Sequence, residues 1–278
     1  MTRALVTGGS RGIGRAICLR IARDALARGH KPRIVVTATG VQPDLQALVA
    51  ELKALGAEAL GIAGDLNDPA VPARLVAEAV KFCGGLDALV HNAGGSIPAS
   101  LLKTQVADCD TVFAVNFRAF LLFGQAAHAA LKESRGTLVA IGSNAAEGVQ
   151  PHLNVYPAAK AALKMLVQQM AYEWGRSGIR VNCVSPGFTM SRSTDIAMAD
   201  PKDKAAMGEG IPLRRVGESE DIAGVVAFMI GPDSAYITGE NINVDGGLRH
   251  VTMEKFLSGA SGNWAGQHGI RKMRPSEA

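Results

Sequence analysis

The chain has 278 residues, 47% of them hydrophobic and 19% charged, which is an ordinary globular balance for one large α/β domain or two small ones. Its net charge of +4 is scattered, with Lys and Arg among Asp and Glu, so no stripe or tail marks a nucleic-acid binder. No apolar run reaches the roughly 18 residues of a membrane span, so no membrane partner is expected. The N-terminus enters a strand without a signal-peptide pattern. Cys18, Cys83, Cys109 and Cys183 lie far apart with no Cys-x-x-Cys pair, which points to reduced, mostly buried thiols, to the cytoplasm, and to no metal.

In chain order, short β-branched or apolar runs alternate with longer stretches of helical period. Strands are expected at Ala4–Thr7, Arg33–Thr37, Ala59–Ala63, Ala88–His91, Thr137–Ile141, Arg180–Val184 and Asn241–Val244. Helices are expected near 12–28, 43–55, 70–83, 104–132, 155–177 and 219–230. Strands separated by helices of ten or more residues imply right-handed crossovers. The fold class is therefore α/β, a single doubly wound Rossmann-type domain with a mainly parallel seven-stranded sheet and helices on both faces, spanning residues 1–251. The polar stretch 188–215 is too long for a plain connection and is expected to be a substrate lid. Residues 252–278 form an extension that is either a disordered end or an arm docked on a neighbouring subunit, the second favoured by the apolar anchors Phe256, Leu257 and Trp264.

The first strand runs into Thr7-Gly8-Gly9-Ser10-Arg11-Gly12-Ile13-Gly14, and a helix follows at once. Gly8 permits the tight turn, Gly12 lets backbone approach a pyrophosphate, and Gly14 lets the helix pack on the strand. The helix N-terminus offers free N–H groups to the phosphates. An NAD site of this kind carries a carboxylate near the end of strand two, to accept from the ribose 2′-hydroxyl. Between Arg33 and Pro43 there is none, and Arg11 is available for a 2′-phosphate. NADP(H) is the expected cofactor, with NAD(H) the alternative.

Tyr156-Pro157-Ala158-Ala159-Lys160 opens a helix and places phenol and ammonium on one face. A cation beside the phenol, with an oxidised nicotinamide ring nearby, would bring its pKa down from about 10 toward a useful acid–base range. Ser143 lies just past the fifth strand and Asn92-Ala93-Gly94 just past the fourth, both at the carboxyl edge where open α/β sheets bind ligands. Asn116 falls within the 104–132 helix.

With these residues the sequence resembles the short-chain dehydrogenase/reductase family, in its compact single-domain branch. The likeness covers about residues 3 to 250 and rests on Thr7-Gly8-x-x-x-Gly12-x-Gly14, Asp65, Asn92-Ala93-Gly94, Asn116, Ser143, Tyr156-x-x-x-Lys160 and Pro186-Gly187, all in order. The resemblance implies hydride transfer between a nicotinamide and a carbonyl or alcohol. It casts Tyr156 as general acid/base, Ser143 as the group orienting the substrate oxygen, Lys160 as holder of the ribose and modulator of Tyr156, and Asn116 as anchor of a relay water. By the same resemblance the cofactor would touch Gly8, Ser10, Arg11, Gly12, Ile13, Gly14, Thr39, Asp65, Leu66, Asn92, Ala93, Gly94, Tyr156, Lys160, Pro186, Gly187, Thr189 and Ser191. Substrate would meet Ser96, Asn144, Ala145, His152, Phe188 and Met190, with Met198 and Met207 closing over it.

Three departures stand out. Ala159 replaces a frequent Ser, His91 stands where an Asn is frequent, and Ser191 takes a place often held by Thr. Arg192, Lys202 and Lys204 hint at an anionic substrate. The family's dimers and tetramers form through the helices near 104–132 and 155–177 and the last strand, so a homo-oligomer is expected, with Phe117, Phe120, Met170 and Trp174 in that surface or in the core. A 3-oxoacyl thioester, a sugar or polyol, or another small carbonyl would all suit the motifs. The alternative reading is a non-catalytic dinucleotide-binding regulator, although the chain keeps Asn116, Ser143, Tyr156 and Lys160.

Overall fold

Apolar runs with little polar alternation become strands covered on both faces. The structure, a computed structural model, describes residues 2–190 and 201–251. The strands are β1 Arg3–Thr7, β2 Arg33–Ala38, β3 Glu58–Ala63, β4 Ala88–His91, β5 Thr137–Ile141, β6 Arg180–Pro186 and β7 Asn241–Val244. They form one seven-stranded sheet in the order β3-β2-β1-β4-β5-β6-β7, and every pairing is parallel. The order in which strands are added switches sides between β1 and β4, so the loops after these two strands diverge and open a crevice at the carboxyl edge.

The helices are α1 Gly12–Ala27, α2 Pro43–Ala54, α3 Val71–Cys83, α4 Val106–Phe113, α5 Ala119–Ser134, α6 Tyr156–Trp174, α7 Pro201–Glu209 and α8 Ser219–Ile230. They cover the two faces of the sheet. One layer packs Ile17 and Ile21 of α1, Leu48 and Leu52 of α2, and Val226 and Met229 of α8 against Val6, Ile34, Val36 and Val90. The other packs Leu75 and Ala79 of α3, Phe120, Phe123 and Leu131 of α5, and Leu163 and Val167 of α6 against Leu5, Leu89, Leu138 and Val181. Phe120 and Met170 are buried in this second core, and Met170 also lines a groove on the outer side of α5 and α6.

The helix expected over 104–132 is interrupted. A 3-10 turn covers Leu101–Lys103, and α4 passes into α5 through a π-helical turn, Ala114–Arg118. A single inserted residue makes such a turn and leaves main-chain carbonyls without their usual partners, often at functional positions. Side chains take over here: the Nδ2 of Asn116 donates to Val112 O at 2.9 Å, and the Nε2 of His91 lies 3.1 Å from Val115 O. The helix expected over 155–177 ends its α-helical part at Trp174 and closes in a 3-10 turn, Gly175–Ser177. Within 188–215 the described part includes α7, where Met207 packs with Met190 on Ile211 and Val216. Ser191, Arg192 and Met198, with Phe256, Leu257 and Trp264 of the C-terminal extension, lie outside the described residues.

Candidate active site

A cleft of about 740 Å³ follows the carboxyl edge of the sheet from the α1 N-terminus to Tyr156. Its first wall is the glycine turn. Gly8 has a φ of +61°, and a Cβ there would lie 2.8 Å from Ala93 Cα, so the turn and the loop after β4 meet only through a glycine. Asn92 Nδ2 donates to Gly8 O at 2.8 Å and ties the same two loops together. The first turn of α1 carries no acidic residue and its N-cap, Arg11, makes no side-chain cap. Its free N–H groups therefore remain available to an anion beside Ser10, Gly12 and Ile13.

Next to this turn is the end of β2, where Thr37, Ala38 and Thr39 line the cleft together with Gln42. Arg11 Nη2 donates to Gln42 Oε1 at 3.0 Å, and Arg11 Nη1 lies 3.3 Å from Asp44 Oδ2 in the first turn of α2. Across the cleft, Asp65 is exposed and accepts from the backbone N–H and the side chain of Asn67, both at 3.0 Å. Leu66 is buried behind it.

At the centre, Thr7, His91 and the π turn form one hydrogen-bonded chain. A carbonyl can only accept, so His91 Nε2 carries the proton given to Val115 O, and Nδ1 must accept from Thr7 Oγ1 at 3.1 Å. Thr7 Oγ1 in turn accepts from Ala93 N at 3.0 Å. Burial, reinforced by the Lys160 charge, pushes His91 down to about 3 and keeps it neutral. Asn116 is fully buried, and its side chain is committed to backbone, giving to Gly95 O at 2.9 Å and accepting from Gly95 N at 3.2 Å. It stands behind the cleft wall rather than in it, so its expected water-anchoring role is not visible as an open donor. Gly94 separates Asn116 from the cleft: a Cβ there would fall 2.6 Å from Asn116 Oδ1 and 3.2 Å from Lys160 Nζ.

The far end holds Ser143, Tyr156 and Lys160. Ser143 caps the 3-10 turn Asn144–Ala146 by accepting from Ala145 N at 3.1 Å. Its hydroxyl also hydrogen-bonds the Tyr156 phenol, which favours the phenolate. Pro157 is tolerated in the first turn of α6, where its missing N–H would have had no partner. Lys160 is buried at 3% exposure, with Nζ donating to Ile141 O at 2.7 Å and lying 5.6 Å from the centre of the Tyr156 ring. Burial lowers Lys160 to about 8. In the chain itself the balance at Tyr156 runs upward, and the expected depression would need the oxidised nicotinamide ring. Burial pushes the phenol above its ordinary value and outweighs the Ser143 hydrogen bond, while the ammonium is turned to a carbonyl.

Beyond this cluster, Ser96, Asn144, Gln150, Leu153, Pro186, Gly187, Phe188 and Thr189 complete the lining. Of the residues expected around substrate, Ser96, Asn144 and Phe188 reach the cleft. Ala145 is buried beneath it, His152 is an exposed turn residue at a φ of +64°, and Met190 faces the Ile211–Val216 cluster. Gln42, Asn67, Gln150 and Leu153 escape a reading of the sequence, since no motif marks them. Gln150 is held by Asn144, whose Oδ1 accepts from its Nε2 at 3.1 Å. One turn away, Glu147 gathers Lys164 Nζ at 2.7 Å, Asn241 and Asn243 Nδ2 each at 3.1 Å, and Arg249 Nη1 at 3.2 Å. Lys164 leads in holding its carboxyl down at about 2.

A glycine turn feeding a helix N-terminus, and a Ser–Tyr–Lys cluster at the other end of one cleft, fit a nicotinamide dinucleotide laid along the sheet edge. The chain belongs to the short-chain dehydrogenase/reductase family and is an NAD(P)-dependent oxidoreductase acting on CH–OH groups. A family model described as enoyl-(acyl carrier protein) reductase matches residues 8–249. The glucose 1-dehydrogenase of Gluconobacter oxydans is 36% identical over 250 residues, covering 88% of this chain and 91% of that one. The 3-oxoacyl-(acyl-carrier-protein) reductase of Staphylococcus epidermidis is 34% identical over 246 residues, 88% of this chain and 98% of its own. A Burkholderia cenocepacia short-chain dehydrogenase solved in complex with NADP superposes with a TM-score of 0.80 at 38% identity, covering 88% of this chain and 96% of that one.

Proposed function

We propose that this protein is an NADP(H)-dependent carbonyl reductase or alcohol dehydrogenase whose substrate is uncharged at its reacting end. The observation that carries the cofactor reading is the end of β2. Its cleft-lining residues, Thr37, Ala38 and Thr39, include no carboxylate, and Arg11 stands beside them. The NADP complex of the Burkholderia relative supports the same reading. When bound, the dinucleotide supplies or accepts hydride at the nicotinamide and, oxidised, brings a positive charge beside the phenol.

The rest of the chemistry falls to the chain. Ser143 holds the substrate oxygen within reach of Tyr156. The phenol, kept protonated by burial, gives its proton to that oxygen during reduction and takes it back during oxidation. Lys160 would hold the nicotinamide ribose and, with its ammonium near the Tyr156 ring, would favour the phenolate. Asn116 and His91 keep the loop after β4 and the π turn in place around Gly94. Thr189 and the turn at Pro186-Gly187, which line the cleft, would hold the carboxamide.

Charged side chains along the described cleft wall are Arg11, Asp65 and Lys160, and the first two stand at the adenosine end. Lys204 ion-pairs with Glu218 at 3.0 Å and Lys202 is not free either, so the suggested anionic substrate loses these two supports. The glucose dehydrogenase and oxoacyl reductase relatives bracket the choice between polyols and acyl thioesters. A panel of ketones, sugars and 3-oxoacyl thioesters, read by nicotinamide absorbance, tests the proposal. Turnover of uncharged carbonyls with NADPH is expected; dinucleotide binding without turnover on any of them would point back to a non-catalytic regulator. The same reading includes a cytoplasmic homo-oligomer joined through α5 and α6. Leu121, Gln125, His128, Leu166, Gln169, Glu173 and Trp174 there line a shallow outer groove of about 440 Å³.

A further inference from the structure

We infer that Asp44 sets the dinucleotide selectivity of this protein by competing with the adenosine 2′-phosphate for Arg11. The inference rests on the reading that Arg11 faces that phosphate. The Arg11 fork is already engaged: Nη2 gives to Gln42 Oε1 at 3.0 Å and Nη1 lies 3.3 Å from Asp44 Oδ2. A guanidinium recognises phosphate best with two parallel donors, so a 2′-phosphate draws on the atoms that now face Gln42 and Asp44.

Asp44 is not the ribose-binding carboxylate of an NAD site. It sits in the first turn of α2, past the end of β2, and it does not line the cleft, whereas Gln42 does. Its carboxylate therefore reaches the guanidinium from outside the cleft lining. With a 2′-hydroxyl in the cleft the pair stays intact and the guanidinium charge is matched. With a 2′-phosphate, the carboxylate and a second anion share one cation and repel each other. Asp44 thus handicaps the phosphorylated cofactor without touching it and brings the two dinucleotides closer in affinity. Both partners are partly exposed, with 33% and 49% of their side chains open to solvent, so the handicap is modest and weakens with salt.

Equilibrium titration of NADPH and NADH onto the full chain, followed by nicotinamide fluorescence, tests this without a substrate. Asp44→Asn is expected to tighten NADPH about tenfold at low salt, less at 0.5 M salt, and to change NADH less than about twofold. Adenosine 2′,5′-bisphosphate should follow NADPH, and 5′-AMP should follow NADH. The double variant Arg11→Ala/Asp44→Asn should bind NADPH as Arg11→Ala does. Asp44→Ser repeats the measurement should the asparagine disturb the first turn of α2. Unchanged or weaker NADPH binding in both Asp44 variants would overturn the inference and make Asp44 a mere brace for Arg11. If Arg11→Ala itself leaves NADPH affinity intact, the 2′-phosphate reading fails first, a distinct result from the former.

Discussion

At the scale of single residues the chemistry turns on which group keeps its proton. Burial holds the Tyr156 phenol protonated, so the site as built is ready to give a proton rather than to take one. Tyr156→Phe should therefore reduce turnover by about two to four orders of magnitude, with NADPH affinity within a factor of about three by titration. A second consequence concerns His91, whose folded pKa of about 3 lies far below the usual imidazole value of 6.5. Below pH 6.5 the unfolded chain takes up a proton that the folded chain refuses, so this residue's contribution to stability is whole above that pH and drains away toward pH 3. In His91→Asn the melting temperature should fall less steeply between pH 7 and 4, measured by calorimetry at several pH values. Identical slopes in the two proteins would remove His91 from the account.

At the scale of elements, the π turn between α4 and α5 places Asn116 where helix, loop and lysine meet. Asn116→Ala leaves Val112 O and both Gly95 groups short of partners, at a cost of about 1–3 kcal/mol, and should lower the melting temperature by several degrees. Gly94→Ala should weaken NADPH binding at least about tenfold, because the new methyl pushes between the cleft and Asn116 and Lys160. The seven strands, the glycine turn and the Ser143–Tyr156–Lys160 cluster are legible in the sequence because each rests on local pattern, such as β-branched runs or an i, i+4 pair. The π turn is not, since one extra residue barely disturbs the apolar period of a long helix. The Arg11–Asp44 pair is hidden for another reason. The two residues lie 33 positions apart, and only the packing of α1 beside α2 brings them together. The Tyr156 shift likewise depends on how deeply the phenol is buried, which the spacing of Tyr and Lys does not disclose.

At the scale of the whole molecule, the sheet order sets the two ends of the cleft on different strands. The proposed adenosine end lies after β1, β2 and β3, whereas Ser143, Tyr156 and Lys160 all lie between β5 and β6. The proposed association with further copies would use the outer groove between α5 and α6, where Leu121 and Leu166 remain only partly buried. Light scattering should give a dimer or tetramer, and Leu166→Glu should shift it toward monomer without unfolding the chain.

The carboxylate of Glu147 knots the turn that follows Ser143 to α6, to the edge strand β7 and to Arg249, near the last described residue. Because it stays ionised down to about pH 2, mild acid never slackens that knot. Acidification is therefore expected to tax the neutral imidazole under the crevice before it releases the carboxylate at the rim.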